Sequence, residues 1–176
     1  METYIQTYSG KKLDFWNPDP EQICIEDIAH ALSHTARFSG HTDYFYSVAQ
    51  HSLAVSSLCP DEHKLQGLLH DATEAYLTDM PTPFKNCLPD YKAAEGRVWN
   101  AIAEKFGLPY TMHRSVKMAD RMCLMAEADE LQPNRTDWGA DYETFERGVL
   151  YHPNHGEDPM VYKYEYIDVY RSLTEE

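Results

Sequence analysis

Leu65-Gln66-Gly67-Leu68-Leu69-His70-Asp71-Ala72-Thr73-Glu74 is an apolar run that ends in an imidazole and two carboxylates. Its periodicity predicts a helix over Asp61 to Tyr76, with Pro60 as the stop before it and Asp61 as its cap. On a helix Glu74 lies four residues after His70 and three after Asp71, so it shares their face. One turn then offers two metal-ligand types side by side and a second carboxylate suited to general acid/base work. Adjacent His and Asp also occur by chance, so the pair needs support from elsewhere in the chain.

Two further residues sit oddly for a plain core. His51 lies in Ser47-Val48-Ala49-Gln50-His51-Ser52-Leu53-Ala54-Val55, where its helical neighbours are Val48, Ala54 and Val55. Asp120 lies in Val116-Lys117-Met118-Ala119-Asp120-Arg121-Met122-Cys123-Leu124, facing Val116, Cys123 and Leu124. An unpartnered polar group in such a place costs roughly 2–7 kcal/mol. A lone histidine on an apolar face is ordinarily a hydrogen-bonded core residue. A lone helical aspartate is ordinarily a cap or an ion-pair partner, here of Arg121 or Lys117. The conjunction on separate predicted helices carries the argument, because violations of burial rules concentrate at functional sites. His51, His70, Asp71 and Asp120 would make an N2O2 set with room for water.

The chain has 176 residues and a net charge of −14, enough for one domain with a real core. So acidic a chain is unsuited to binding long nucleic acid through its phosphates, although a locally basic pocket can still take a single nucleotide. No apolar run reaches the roughly 18–20 residues of a membrane span. Met1-Glu2-Thr3-Tyr4 lacks the basic start of a secretory leader. Cys24, Cys59, Cys87 and Cys123 form no C-x-x-C and read as reduced thiols. The expectation is a cytoplasmic protein with no membrane partner.

The fold class expected is all-α with a small N-terminal β-hairpin at Tyr4 to Phe15. Helices are expected over Ile25 to Ala36, Phe45 to Leu58, Asp61 to Tyr76, Tyr91 to Phe106 (capped by Asp90), Ser115 to Leu131 and Val161 to Leu173. Arg37 to His41 reads as a connector. The prolines of Asp79-Met80-Pro81-Thr82-Pro83 predict an extended loop. A single domain, 1–176, is expected, with its core over about 21–131 and with 132–176 forming an irregular lobe plus the last helix. Two other histidine pairs compete as metal clips. His30 and His34 stand at i and i+4, but Ala31 replaces the glutamate of a zinc-protease pattern. His152-Pro153-Asn154-His155 falls in the irregular segment. Tyr162, Tyr164, Tyr166 and Tyr170 read as packing or interface.

His51…His70-Asp71…Asp120 resembles the H…HD…D signature of the HD-domain metal-dependent phosphohydrolases. Arg37-Phe38, Ser52, His70-Asp71-Ala72-Thr73-Glu74, Asp79-Met80-Pro81-Thr82-Pro83-Phe84-Lys85 and Lys117-Met118-Ala119-Asp120 look like the bacterial 5′-deoxynucleotidases of that superfamily. Phe38 stands where Trp, a residue implicated in sugar selection, is usual. The hairpin and Arg37 to His41 look closer still to small prophage and phage HD proteins, some of which remove triphosphate from dATP. The resemblance covers residues 1 to about 131. It implies an HD-domain helical bundle that holds one divalent cation (Mn, Co, Zn, Fe, Ni or Mg) on His51, His70, Asp71 and Asp120. It also implies hydrolysis of a deoxynucleotide mono- or triphosphate and assembly as a homo-oligomer. Glu74 takes the role of orienting or deprotonating the attacking water, and Asp79 that of proton donor to the departing O5′. Arg37 is the candidate phosphate clamp and Lys85 a second; Thr82 and Phe38 are candidates for sugar and base contact. The alternative is a catalytically inactive nucleotide-binding or phage/host interaction module.

Overall fold

The structure is a computed structural model and describes residues 3–132 and 158–174. Strands β1 (Tyr4–Gln6) and β2 (Lys12–Asp14) pair antiparallel with Ile5 opposite Leu13. Gly10, at φ +85°, lets the connecting turn close on Thr7. Leu13 is fully buried and anchors the hairpin to the helical body. That body is mostly helical, as the periodicity predicts.

Helix α1 (Ile25–His34) buries Ile28, Ala29 and Leu32 along one stripe. Helix α2 (Val48–Leu58) starts three residues later than expected, because Ser47 caps it. Ser47 Oγ accepts from Gln50 N while Gln50 Oε1 accepts from Ser47 N, a reciprocal capping box. Every residue from Val48 to Ser56 is buried, as befits a helix at the centre of its bundle. Arg37 N donates to Tyr46 O and Val48 N to Thr35 O, which ties the end of α1 to the start of α2.

The helix expected over 61–76 is broken at the polar residues. Helix α3 (Lys64–Leu69) ends at His70, and a short helix α4 (Glu74–Leu77) follows. Across the break Ala72 N, Glu74 N and Ala75 N bond three residues back, to Leu69 O, Asp71 O and Ala72 O. This tighter winding rotates the side chains away from α-helical phase. The 79–83 segment also differs from expectation. Asp79 to Pro81 is extended, but Thr82–Lys85 forms one helical turn, α5, because a proline in the first turn lacks only an amide that would be unbonded anyway. Helix α6 (Pro89–Phe106) likewise begins on a proline, ahead of the expected Asp90 cap, and ends at left-handed Gly107. Helix α7 (Arg114–Leu131) follows, capped by His113.

Helix α8 (Pro159–Thr174) packs against α1, α2 and α3. It buries Tyr162, Tyr166 and Ile167 in the same apolar cluster as Leu13, Ile28, Leu53, Leu69 and Val98. Tyr166 donates its hydroxyl to Leu68 O at 2.6 Å. The core thus runs beyond residue 131 to the last helix, and Tyr162 and Tyr166 are packing residues. The rest of the expected irregular lobe, with His152 and His155, lies outside the described residues. All four cysteines are free thiols, and no described helix is long and apolar enough to cross a membrane.

Candidate metal centre

Three elements converge on His51. It projects from the middle of α2 and is fully buried. His70 and Asp71 stand at the break between α3 and α4, and Asp120 stands on α7. Gly67 allows this approach: a Cβ there would lie 2.8 Å from Cys59 Sγ and 3.2 Å from Ser56 Cα, so only glycine lets α3 sit this close to α2. Ala54, Val55, Cys59, Val116, Ala119 and Cys123 close the seam between α2 and α7.

His51, His70 and Asp120 each bring one ligand atom into a group whose members lie within 4.8 Å of one another; this group could hold a metal ion. His51 Nε2 is 3.1 Å from Asp120 Oδ1 and 3.5 Å from Asp71 Oδ2. His70 Nε2 is 3.1 Å from Asp71 Oδ2 and 3.9 Å from Asp120 Oδ1. The opposite ring nitrogens are anchored. His51 Nδ1 donates to Glu127 Oε1 at 2.6 Å and His70 Nδ1 to Gly67 O at 2.8 Å. Each Nδ1 therefore carries a proton, and each Nε2 is the ring atom turned toward the cluster. Both Nε2 atoms are buried without an aligned hydrogen bond. Two imidazole Nε2 atoms beside carboxylate oxygens are a donor set that a divalent cation can use once it displaces their protons. Asp120 is not a buried orphan, as its placement among apolar neighbours suggested. Its side chain is 44 % exposed and forms the mouth of the group.

The local charge calls for a cation. Burial and Arg37 lower the proton affinity of His51, but Glu127 and Asp120 outweigh them and push its pKa up to about 10. His70 moves the same way: burial lowers it and Asp71 and Asp120 raise it further. Glu74 is nine-tenths buried, and burial together with Asp71 and Asp79 raises its pKa well above the usual carboxylate range. Asp79 rises too, through burial and Asp71, against the pull of Arg37. Carboxylates crowded in this way resist ionising together.

The backbone is strained on both sides of the cluster. Phe38 and Ser39 hold left-handed conformations at φ 52° and 53°. Thr78, immediately before Asp79, sits at φ 66° and ψ 156°, a region suited to glycine. Such residues cost about 1–3 kcal/mol each and gather where geometry serves function. They flank Arg37 and Asp79, whose Nη1 and Oδ2 lie 3.9 Å apart.

No family model matches the chain. It is 46 % identical over 129 residues to the uncharacterized protein YfdR of Escherichia coli (strain K12), across 73 % of this chain and 72 % of that one. The chain belongs to the YfdR family. It is also 40 % identical over 137 residues to an uncharacterized protein of Rhodobacter capsulatus, across 70 % of each chain.

In this YfdR-family chain the residues singled out for substrate contact are placed unevenly. Arg37 is buried beside the cluster, and Phe38 packs on Met125 and Ala128 of α7. Thr82 is exposed at the start of α5, where its carbonyl accepts from Asn86. Lys85 is turned to Glu95, donating to Oε1 at 2.6 Å, and so is less free as a second phosphate clamp than its sequence position suggested. Sequence reasoning missed Glu127 altogether. It is 1 % exposed, and its Oε2 accepts from Arg37 Nε at 3.2 Å and Nη2 at 2.8 Å. The sequence carries only a weak signal for it: Glu127 follows Asp120 by seven residues, two helical turns, and so lies on the same face.

Proposed function

We propose that this chain is an HD-domain phosphohydrolase of 2′-deoxynucleotides that works with one divalent cation held by His51, His70, Asp71 and Asp120. The observation that carries the reading is the pair of buried Nε2 atoms, without an aligned hydrogen bond, turned toward Asp71 and Asp120. A divalent cation supplies Lewis acidity toward a phosphoryl oxygen and acidifies water.

The chain's own residues supply the rest. Glu127 occupies Arg37 Nε and one Nη2 hydrogen, so the far edge of the guanidinium fork remains for two phosphoryl oxygens. Glu74, buried beside Asp71 and Asp79, is the carboxylate assigned to accept a proton from attacking water. The water oxygen bonds to phosphorus as the bond to the leaving oxygen breaks. Asp79, across from Arg37 at 3.9 Å, is assigned to pass a proton to the leaving O5′.

Product analysis tests this. The Mn²⁺-loaded protein is incubated with each dNMP and each dNTP. Orthophosphate from monophosphates makes it a 5′-deoxynucleotidase, and inorganic triphosphate from a dNTP makes it a triphosphohydrolase. No phosphorus product from any of them leaves a nucleotide-binding or interaction module. Asp71→Ala is expected to lose bound metal and turnover together. Glu74→Ala should keep the metal and lose about 10²–10⁴-fold in rate; an unchanged rate removes Glu74 from the mechanism.

A further inference from the structure

Glu127 makes contacts that neither a ligand nor an ordinary ion pair would make. Its two oxygens face opposite ways. Oε1 accepts from Nδ1 of His51, whose other nitrogen faces the cation group, and Oε2 accepts the Nε/Nη2 edge of Arg37, whose Nη1 faces Asp79. All three side chains are at least nine-tenths buried. A buried pair of this kind is weak evidence for a stabilising role, since desolvation offsets most of the Coulombic gain. The geometry instead joins two functional groups through one rigid carboxylate.

We propose that Glu127 is a positioning residue that holds the cation ligand His51 and the anion-facing Arg37 in one frame. On the His51 side it holds the proton on Nδ1 and so fixes the ring with Nε2 turned to the cation group. On the Arg37 side it immobilises one edge of the fork and leaves the other for a phosphate. The proposal rests on reading the cluster as a cation site.

Glu127→Gln is the sharpest probe. A carboxamide has a single acceptor oxygen, while N–H groups converge on this position from both sides. Its NH₂ must therefore oppose either the His51 N–H or the Arg37 fork. Mn²⁺ affinity, measured on the metal alone by calorimetry, should fall about 10–100-fold, the range for residues that support a ligand histidine. Because the substitution leaves Arg37 buried without its counter-charge, the same comparison is made with Arg37→Met as background. The double variant Arg37→Met/Glu127→Leu, in which residue 127 offers His51 Nδ1 no acceptor, should bind Mn²⁺ at least 10-fold more weakly than Arg37→Met alone. A purely structural role for Glu127 would change unfolding temperature and leave those two affinities equal, and equality overturns the proposal. Wild-type protein that takes up no Mn²⁺, Co²⁺ or Zn²⁺ overturns the cation reading, and this proposal with it. Wild-type uptake with unchanged affinity in the variants overturns this proposal alone.

Discussion

Two pairs of histidines in this molecule meet opposite fates. His51 and His70 come from different helices, with ring centroids 5.2 Å apart and carboxylates between them. His30 and His34 are neighbours on α1, with centroids 4.3 Å apart, and by i, i+4 spacing they compete as a two-histidine metal clip. Yet His34 Nδ1 donates to His30 O at 2.8 Å, and Tyr8 stacks on His30 at 3.8 Å. The nearby carboxylate, Asp27, is taken up by Ser9 N at 2.6 Å, Ser9 Oγ at 2.8 Å and Cys24 Sγ at 3.1 Å. The proton affinities follow. Burial, His34 and Lys163 push the His30 pKa down, whereas the carboxylates around His51 push its pKa up. Helical spacing alone gathers no free carboxylate around His30 and His34 among the described residues, whereas Asp71 and Asp120 reach His51 from other elements.

The largest expected effect breaks this contrast directly. His51→Ala should lose all Mn²⁺ or Zn²⁺ that survives dialysis, a greater loss than the roughly 10–100-fold expected for a supporting residue. His34→Ala should retain wild-type metal content. Metal analysis of the two dialysed variants decides it. Equal losses would mean that α1 contributes to binding, and equal retention would take His51 out of the site.

The contrast also explains what was legible in the sequence. Of the expected ligands, His51, His70 and Asp120 come together as a possible ion group; His51 and Asp120 could be picked out because each sets a polar ligand type beside apolar neighbours, and His70 because it ends an apolar run beside Asp71. Glu127 obeys the same logic, but a glutamate in Met125-Ala126-Glu127-Ala128 reads as ordinary helix surface until its partners, Arg37 and His51, are known to arrive from elsewhere. The break at His70 was not legible either. The run from Leu65 to Tyr76 has continuous helical periodicity, and only the pull of the side chains toward α2 and α7 favours three-residue hydrogen bonds there. Pro83 misled because a proline excludes a helix interior and not a helix start.

Gly67→Ala gives a middle-sized test of how the two histidines are brought together. Alanine gains about 1 kcal/mol of helix propensity. Against this, its Cβ would press on Cys59 Sγ and the backbone of Ser56, and overpacking costs about 1–3 kcal/mol. The net loss should lower the unfolding temperature by no more than a few degrees, at about 2–4 °C per kcal/mol for a chain of this size. Because Gly67 O also anchors His70 Nδ1, metal affinity should fall as well, with the His30 and His34 end of the molecule untouched. Weakened metal binding without a stability change would assign the effect to the carbonyl anchor. The reverse would assign it to packing of α3 on α2.

The smallest expected effect concerns pH. His30 is held below its ordinary value of 6.5, so the unfolded chain binds its proton more readily than the folded one. Its contribution to stability is therefore complete above about 6.5 and is lost as pH falls toward the folded value. His51 and His70 have the opposite sign in metal-free protein. Their contribution is present below about 6.5 and is lost as pH rises, for His51 through about 10. Urea unfolding of chelator-treated protein at pH 5.5 and 7.5 separates the two pairs. Replacing His30 with Gln removes the term that weakens the protein in acid, so the variant should gain stability relative to wild type at pH 5.5 and less so at pH 7.5. Replacing His70 with Gln removes a term that favours the acid side, so that variant should lose more at pH 5.5 than at pH 7.5. If both variants shift in the same direction with pH, the two pairs share one electrostatic environment, and the distinction drawn from Asp27, Asp71, Asp120 and Glu127 fails.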